Sequence, residues 1–205
     1  MNTKQIIIVG GGGLAREIFS WLNGKNVIGF LDDTRPPLLE KYNYPIKVLS
    51  SISDYIPEKE SVHILGIMNP EGKKRVVSLL KEKGCKFTSF IHPTAIIGKN
   101  VRLGEGVVIT PGCILSCDIN IGDFVFLNTQ STIGHDVKVG NYTSINGKVE
   151  VSGFVHIGES VTIGSRVVIL PKKKIANGAI IGAGSVVVGN INQAITVFGN
   201  PAKRL

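Results

Sequence analysis

A histidine followed by an aspartate, His135-Asp136, stands in the stretch STIGHDVKVG (131–140), amid small and aliphatic residues with few other groups able to do acid–base chemistry. An imidazole that titrates near neutrality can take a proton from a nucleophile, and an adjacent carboxylate can orient it or raise its basicity. Taken alone, the pair also reads as a solvated corner of the fold. A second cluster lies near the start of the chain. In VGGGGLARE, Gly10, Gly12 and Ala15 satisfy the pattern G-x-G-x-x-A, and Asp32 follows about twenty residues later. Backbone amides at the start of a helix favour phosphate, and an acid at that distance suits a ribose hydroxyl. No two histidines have the spacing of a metal site, and Cys85, Cys113 and Cys117 form no metal-binding pattern.

Two kinds of element must hold these groups, one in each half of the chain. In the first half, residues 4–9 read as a short buried strand ended by glycines 10–13. Residues 14–22 have helical spacing through Leu14, Ile18, Trp21 and Leu22. Strands are predicted at 27–31, 62–67 and 87–91, the first running into Asp32-Asp33. Pro70-Glu71-Gly72 opens a helix carrying Val76, Val77, Leu79 and Leu80, with a Lys/Glu face, closed by Gly84. Residues 33–44 read as a polar, proline-containing loop. Strands alternating with helices predict a small α/β domain on a parallel sheet. Only about eighty residues are available, enough for one mononucleotide-binding half (half-Rossmann-like) rather than a full doubly wound sheet.

From Ala95 the period changes. Residues 95–190 divide without a gap into sixteen six-residue units, from AIIGKN to SVVVGN, and the third position is Ile, Leu or Val in every one. A short fixed period marks a solenoid, and hexapeptide repeats specify a parallel β-helix in which three units make one triangular coil. The aliphatic third position is assigned to the interior. The fourth position, often glycine, is assigned to the unusual backbone angles of the corner. Because no unit is interrupted, any site must be built from corners and faces. His135 and Asp136 fall at positions five and six, a corner pointing away from the interior. Eighteen residues make one turn and neighbouring strands lie about 4.8 Å apart, so Gly153 is expected to stack on His135, and Cys117 to lie one coil the other way. A glycine amide at that height, with no side chain in the way, is a candidate oxyanion donor. His156 stands at position two of its unit without a neighbouring acid, His92 in IHPTA reads as a hinge, and His63 reads as packing in a strand. The expected divisions are 1–91, 92–190 and a tail, 191–205, that covers the last edge of the coil.

Bulk properties limit the function. Of 205 residues 43% are hydrophobic and only 6% aromatic, against 25 glycines, which fits tight repeated turns rather than a helical bundle. The net charge of +8 suits nucleic acid, an anionic membrane, phosphate-bearing small molecules or a solvated basic surface. Without interleaved aromatic and basic residues or a known motif, no nucleic-acid partner is expected. No apolar run approaches the length of a membrane span. Three cysteines and no signal peptide predict a reducing, cytoplasmic location.

Four stretches together, IIIVGGGGLARE, GFLDD, LNTQSTIGHD and GNPAKRL, resemble the hexapeptide-repeat acetyltransferases, within them the sialic-acid O-acetyltransferase and nucleotide-4-amino-sugar N-acetyltransferase group, over essentially all 205 residues. The resemblance implies a left-handed β-helix, although the general rule for parallel crossovers favours the right hand. It also implies a homotrimer with active sites between protomers, and acetyl-CoA as co-substrate without a metal. His135 becomes the general base, Asp136 its partner and Gly153 the oxyanion donor. Ser165, Pro171 and Ala183 match positions lining the acetyl-CoA groove, and Ser144 joins that set. Lys172, Lys173, Lys174, Lys203 and Arg204 are either placed for the CoA phosphates or a solvated corner. Asn128 matches a position near the acceptor sugar. The nucleotide would be held by Gly10, Gly12, Gly13, Leu14, Asp32, Asp33, Gly66 and Asn69. Some relatives carry histidine in the slot of Leu14, so here phosphate contact falls mostly to backbone amides, or the acceptor differs.

The activity so implied is acetyl-CoA-dependent N-acetylation of the 4-amino group of a nucleotide-linked 4-amino-4,6-dideoxy sugar, for bacterial surface polysaccharide (O-antigen, capsule) or glycoprotein. Acetylation of sialic acid or another sugar hydroxyl is an alternative, although paired aspartates and glycines favour a nucleotide-bearing acceptor. A non-catalytic scaffold with a nucleotide-sensing front is another, and the glycine fingerprint alone would also fit an NAD-binding dehydrogenase. Cys117 offers a covalent route, whereas the resemblance implies direct transfer.

Overall fold

The structure, a computed structural model, describes residues 4–34, 38–58 and 60–205. The chain divides into two compact units, the first ending at Ser89 and the second spanning Phe90–Leu205. The expected boundary at 91/92 lies two residues beyond this division, and the tail 191–205 packs as part of the second unit. Among the described residues no helix is long and apolar enough to cross a membrane.

The first unit is built on four parallel strands, β1 (Gln5–Val9), β2 (Val27–Leu31), β3 (Val48–Ser50) and β4 (Ser61–Leu65), in the order β3-β2-β1-β4. Ile7, Ile8, Val9, Phe30 and Leu31 are fully buried, the near-continuous apolar runs that a parallel sheet requires. Helix α1 (Gly13–Leu22) buries Leu14, Ala15 and Ile18. After the short α2 (Leu38–Lys41) and β4 comes α3 (Pro70–Glu82), whose N-terminus is capped by the Asn69 side chain accepting from the Gly72 amide at 2.8 Å. Proline stands in its first turn, where a missing N–H costs nothing.

Four features depart from the sequence expectations here. Strand β3 was not foreseen because three residues, VLS, carry no readable alternation. Helix α2 interrupts the loop expected over 33–44, of which 35–37 lie outside the described residues. The strand expected at 62–67 ends at Leu65, where the Gly66 amide turns to the Val9 carbonyl at 2.8 Å. The segment 87–91 splits: Phe87 bridges to His63 in the first unit, while β5 (Phe90–Ile91) pairs within the second.

The second unit is the β-helix. Sixteen two-residue strands, from β6 (Ile96–Ile97) to β21 (Val186–Val187), occupy positions two and three of the sixteen units and pair with every third strand at a register of eighteen residues, as Thr132 with Glu150. They form three faces: a six-stranded sheet β21-β18-β15-β12-β9-β6, a five-stranded sheet β19-β16-β13-β10-β7, and an eight-stranded sheet. The third-position residues from Ile109 to Val187 form the buried core, as expected. Strand β5 pairs Phe90 with Val108, the same register, so the coil begins one strand before the first hexad. At the other end β22 (Thr196–Phe198) runs parallel to β20 (Ile180–Ile181), and β23 (Lys203–Arg204) folds back antiparallel, ending the eight-stranded face. The same tail bridges Ile191 to Ile175 and donates the Ala202 amide to the Val186 carbonyl, so the last strand of each face is covered.

The corners work differently from the expectation. The left-handed backbone angle falls at position six, not four, and is held by residues of many types, including Asp118, Asp136, Phe154 and Lys172 with φ of 58°, 60°, 61° and 63°. Position four carries glycine for lack of room. A Cβ on Gly134 would lie 2.8 Å from the Gly153 amide nitrogen, backbone that cannot yield.

His63 is buried on β4 and shows how the first unit is tuned. Its Nδ1 faces the Lys86 carbonyl at 3.0 Å and its Nε2 the Tyr55 hydroxyl at 3.2 Å. The neutral ring donates to the first and accepts from the second. Burial pushes its pKa down, the Lys86 carbonyl opposing in part. A histidine lowered in the fold contributes stability that is full above its ordinary value of 6.5 and is lost as pH falls through the folded value. Thermal melting should therefore decline as pH drops from about 8 to about 5, and His63→Gln should flatten that dependence; an unchanged slope in the variant would remove His63 as the cause.

Candidate active site

The corner that leads from the six-stranded to the five-stranded face carries one column of residues at eighteen-residue spacing: Cys117, His135, Gly153 and Pro171. His135 Nδ1 lies 2.9 Å from Asp136 Oδ2, with the two side chains 51% and 44% exposed. A carboxylate only accepts, so Nδ1 carries a proton, and in the neutral ring Nε2 then has the lone pair. Asp136 is fixed from below, its amide donating to the Cys117 carbonyl at 3.2 Å. One coil down, the Asn100 amide, 2.9 Å away, and the Cys117 thiol hold the Asp118 carboxyl below the usual carboxylate range, with His135 acting in the same direction.

Gly153 stacks on His135 as the coil period predicts. A Cβ there would sit 2.7 Å from both Cε1 and Nε2, so only glycine leaves the ring its place. Its carbonyl accepts from the Lys172 amide at 3.0 Å, while among the described residues its own amide has no acceptor. A lone-pair nitrogen and a disengaged N–H thus stand side by side at an open corner. That arrangement can take a proton and stabilise a developing oxyanion.

The remaining coil residues lie elsewhere. Asn128, Ser165 and Ala183 belong to the corner between the eight-stranded and six-stranded faces, and a single chain does not bring them to His135. Asn128 turns its side-chain oxygen to the Thr129 amide at 2.8 Å. Ser144 is buried on β14 (Ser144–Ile145), between Phe126 and Thr162. Lys172 and Lys174 are exposed and Lys173 half-buried one coil beyond Gly153, beside Pro171, and Lys203 and Arg204 are exposed in the tail. His156 is exposed on the five-stranded face, and the His92 ring is held by Thr94 inside the second unit.

In the first unit a cleft of about 360 Å³ brings together Gly10, Gly12, Gly13, Leu14, Asp32, Asp33, Gly66 and Asn69. Gly10 makes the tight turn at φ 100°. A Cβ on Gly66 would come within 2.6 Å of the Ala15 Cβ, so the glycine lets α1 pack closely on the strand end. Gly12 and Gly13 face open space at the start of α1, which has neither a capping side chain nor an acidic residue in its first turn. This uncapped helix start suits a phosphate. Asp32 is nearly buried and accepts from the Thr34 hydroxyl at 3.2 Å, while Asp33 accepts from the Ile52 amide at 2.8 Å. Leu14 is only 3% exposed and packs inward, leaving the cleft to backbone groups. One charged lining residue escaped the sequence: Arg75, exposed on α3. Its position on a face read as solvated Lys/Glu hid it, although it comes one turn after the Asn69-Pro70 helix start. Among the described residues no group of three His, Cys, Asp or Glu side chains is placed to hold a metal ion.

Fold and site define a hexapeptide-repeat β-helix protein with an imidazole–carboxylate corner and a mononucleotide-type front. Residues 5–80 match the PglD N-terminal domain and residues 82–181 the GMPPB C-terminal domain. A UDP-N-acetylbacillosamine N-acetyltransferase of Bacillus subtilis (strain 168) is 30% identical over 112 residues, 52% of this chain and 51% of that protein. The match thus spans about half the length of this curated relative. PerB from Caulobacter crescentus, solved in complex with CoA and GDP-perosamine, superposes with a TM-score of 0.89 at 25% identity over 98% of this chain and 97% of its own. WeeI from Acinetobacter baumannii AYE gives 0.89 at 28% identity over 99% and 100%. In these comparisons the chain is similar to nucleotide-4-amino-sugar N-acetyltransferases built on a hexapeptide-repeat β-helix. The left hand of the coil, which the hexads leave open, goes with this likeness.

The closeness of Gly153 to the imidazole can be tested without any substrate. Gly153 has no positive φ, so alanine is tolerated by its backbone. Gly153→Ala should leave melting nearly unchanged yet push the ring off Asp136, seen as loss of the hydrogen-bonded His135 Nδ1–H resonance in proton NMR. A variant that keeps the resonance would contradict the stacking.

Proposed function

We propose that the protein is an acetyl-CoA-dependent N-acetyltransferase acting on the 4-amino group of a nucleotide-linked 4-amino-4,6-dideoxy sugar, for bacterial O-antigen, capsule or glycoprotein. The observation that carries this is the corner at which His135 Nε2 and the Gly153 amide lie together. The amine attacks the thioester carbonyl carbon and passes a proton to His135 Nε2 as the N–C bond forms. The Gly153 N–H receives the developing oxyanion. Collapse breaks the C–S bond, and the departing thiolate takes the proton back from His135. Asp136 holds Nδ1 protonated and offsets the imidazolium charge. These steps call on no metal. The whole-chain likeness to PerB with its CoA and GDP-perosamine, and the name of the Bacillus relative, support a nucleotide amino sugar as acceptor. In the front cleft, the start of α1 and Arg75 suit the diphosphate, and Asp32 and Asp33 the nucleoside.

The working form is a homotrimer with sites between protomers. Ser165, Ala183 and Asn128 occupy a different corner from His135, Gly153 and Pro171, so one site using both sets draws them from two copies. The six-stranded face between those corners exposes Ile96 and Ile114 at 60% and 42%, apolar surface suited to such a contact. Acetyl-CoA and nucleotide sugars are both cytoplasmic metabolites, which puts the reaction in the cytoplasm.

The deciding assay is CoA release from acetyl-CoA with a panel of UDP-, dTDP- and GDP-linked 4-amino sugars, the product identified by mass. One of them should be acetylated on nitrogen, and silence across the panel would defeat the proposal. With the best acceptor, His135→Ala should lower kcat by about 10²–10⁴-fold; full turnover at saturation would remove His135 as base. Arg75→Ala should raise KM for the nucleotide sugar by about ten- to a hundredfold, the worth of a charge-assisted contact, with kcat and the acetyl-CoA KM held.

A further inference from the structure

Phenylalanine is an unexpected residue at position 154. The backbone there is left-handed, φ 61°, a conformation that favours Gly, Asn and Asp and disfavours bulky side chains. Its column on the corner holds Asn100, Asp118, Asp136 and Lys172 at the same conformation, all polar. The ring is also 44% exposed. Two other aromatics stand at position six, Phe124 and Tyr142, but they stack face to face at 5.5 Å and 8°, with Phe124 buried. Phe154 meets His135 instead, its ring at 90° and 5.0 Å between centroids. Its amide donates to the His135 carbonyl at 3.0 Å, so backbone and ring are tied to one residue.

We propose that Phe154 is a positioning residue for His135. The imidazole is boxed by three groups: the Gly153 backbone beside Cε1 and Nε2, the Asp136 carboxylate on Nδ1, and the Phe154 ring. With the first two alone, an exposed ring is free to swing toward water and leave Asp136. Phe154 closes that path, keeping Nδ1 on the carboxylate and Nε2 beside the Gly153 amide. A residue that the corner's backbone disfavours is thereby explained by what it does for its neighbour. The role extends the reading of His135 as the base.

The conformation supplies a clean test. Phe154→Asn installs a residue that prefers the left-handed region and removes the ring, whereas Phe154→Tyr keeps the ring. The asparagine variant should melt at or above the wild-type temperature, lose about tenfold in kcat and keep both KM values. Its His135 Nδ1–H resonance should broaden by faster exchange with water. The tyrosine variant should retain the sharp resonance and most of the turnover. A sharp resonance and full kcat in Phe154→Asn would overturn the proposal, as would a change confined to the acetyl-CoA KM, which would make the ring a substrate wall. Should the asparagine variant fold poorly, Phe154→Leu carries the same comparison. The NMR arm needs no acceptor. If no sugar is acetylated by the wild type the proposed function falls, while the resonance still decides the role of Phe154.

Discussion

The amide of Gly134 donates to the carbonyl of Val151 at 2.7 Å, and bonds of this kind, seventeen residues forward, recur along the three faces of the second unit. This ladder is the constraint on which the rest depends. It fixes eighteen residues per turn and aligns the aliphatic third positions into one core. It also brings successive corners so close that position four has room for little beyond glycine where backbone meets backbone. Chemistry is then a matter of which side chains stand at equivalent corners of neighbouring coils. His135, Gly153 and Pro171 are far apart in the chain and adjacent in the column.

The ladder also explains what was legible. A period of six with an unbroken aliphatic position specifies strands, faces and stacking partners, so the approach of Gly153 to His135 could be counted out beforehand. The reason for the repeated glycine could not, because spacing does not distinguish a need for unusual angles from a need for room. Position six, where the angle is unusual, shows no composition: Asp, Phe, Lys, Arg and Gln all occupy it. The hydrogen bond from His135 to Asp136 was likewise out of reach, since it depends on how that left-handed residue turns its carboxylate back on its neighbour.

In the first unit the visible parts were those dictated by local rules. The glycine turn, the pair of aspartates at a strand end and the asparagine before a proline-led helix each have a signature, and all meet in one cleft. Strand β3 is too short for any pattern, and it joins the sheet only because β2 offers an open edge. Arg75 has no signature at all. A cation on an exposed helical face looks the same whether it faces solvent or a binding cleft, and only the turn of α3 shows which.

The corner column has a consequence for how such a chain can vary. Base and oxyanion donor are specified by phase, not by any motif that contains both. One residue inserted or deleted between 136 and 152 slides the downstream coil against the upstream one and puts a different side chain over the imidazole. A whole turn added beyond Pro171 leaves their meeting intact. The molecule therefore tolerates growth in quanta of one coil at its ends and almost no slippage at its centre, much as a reading frame does.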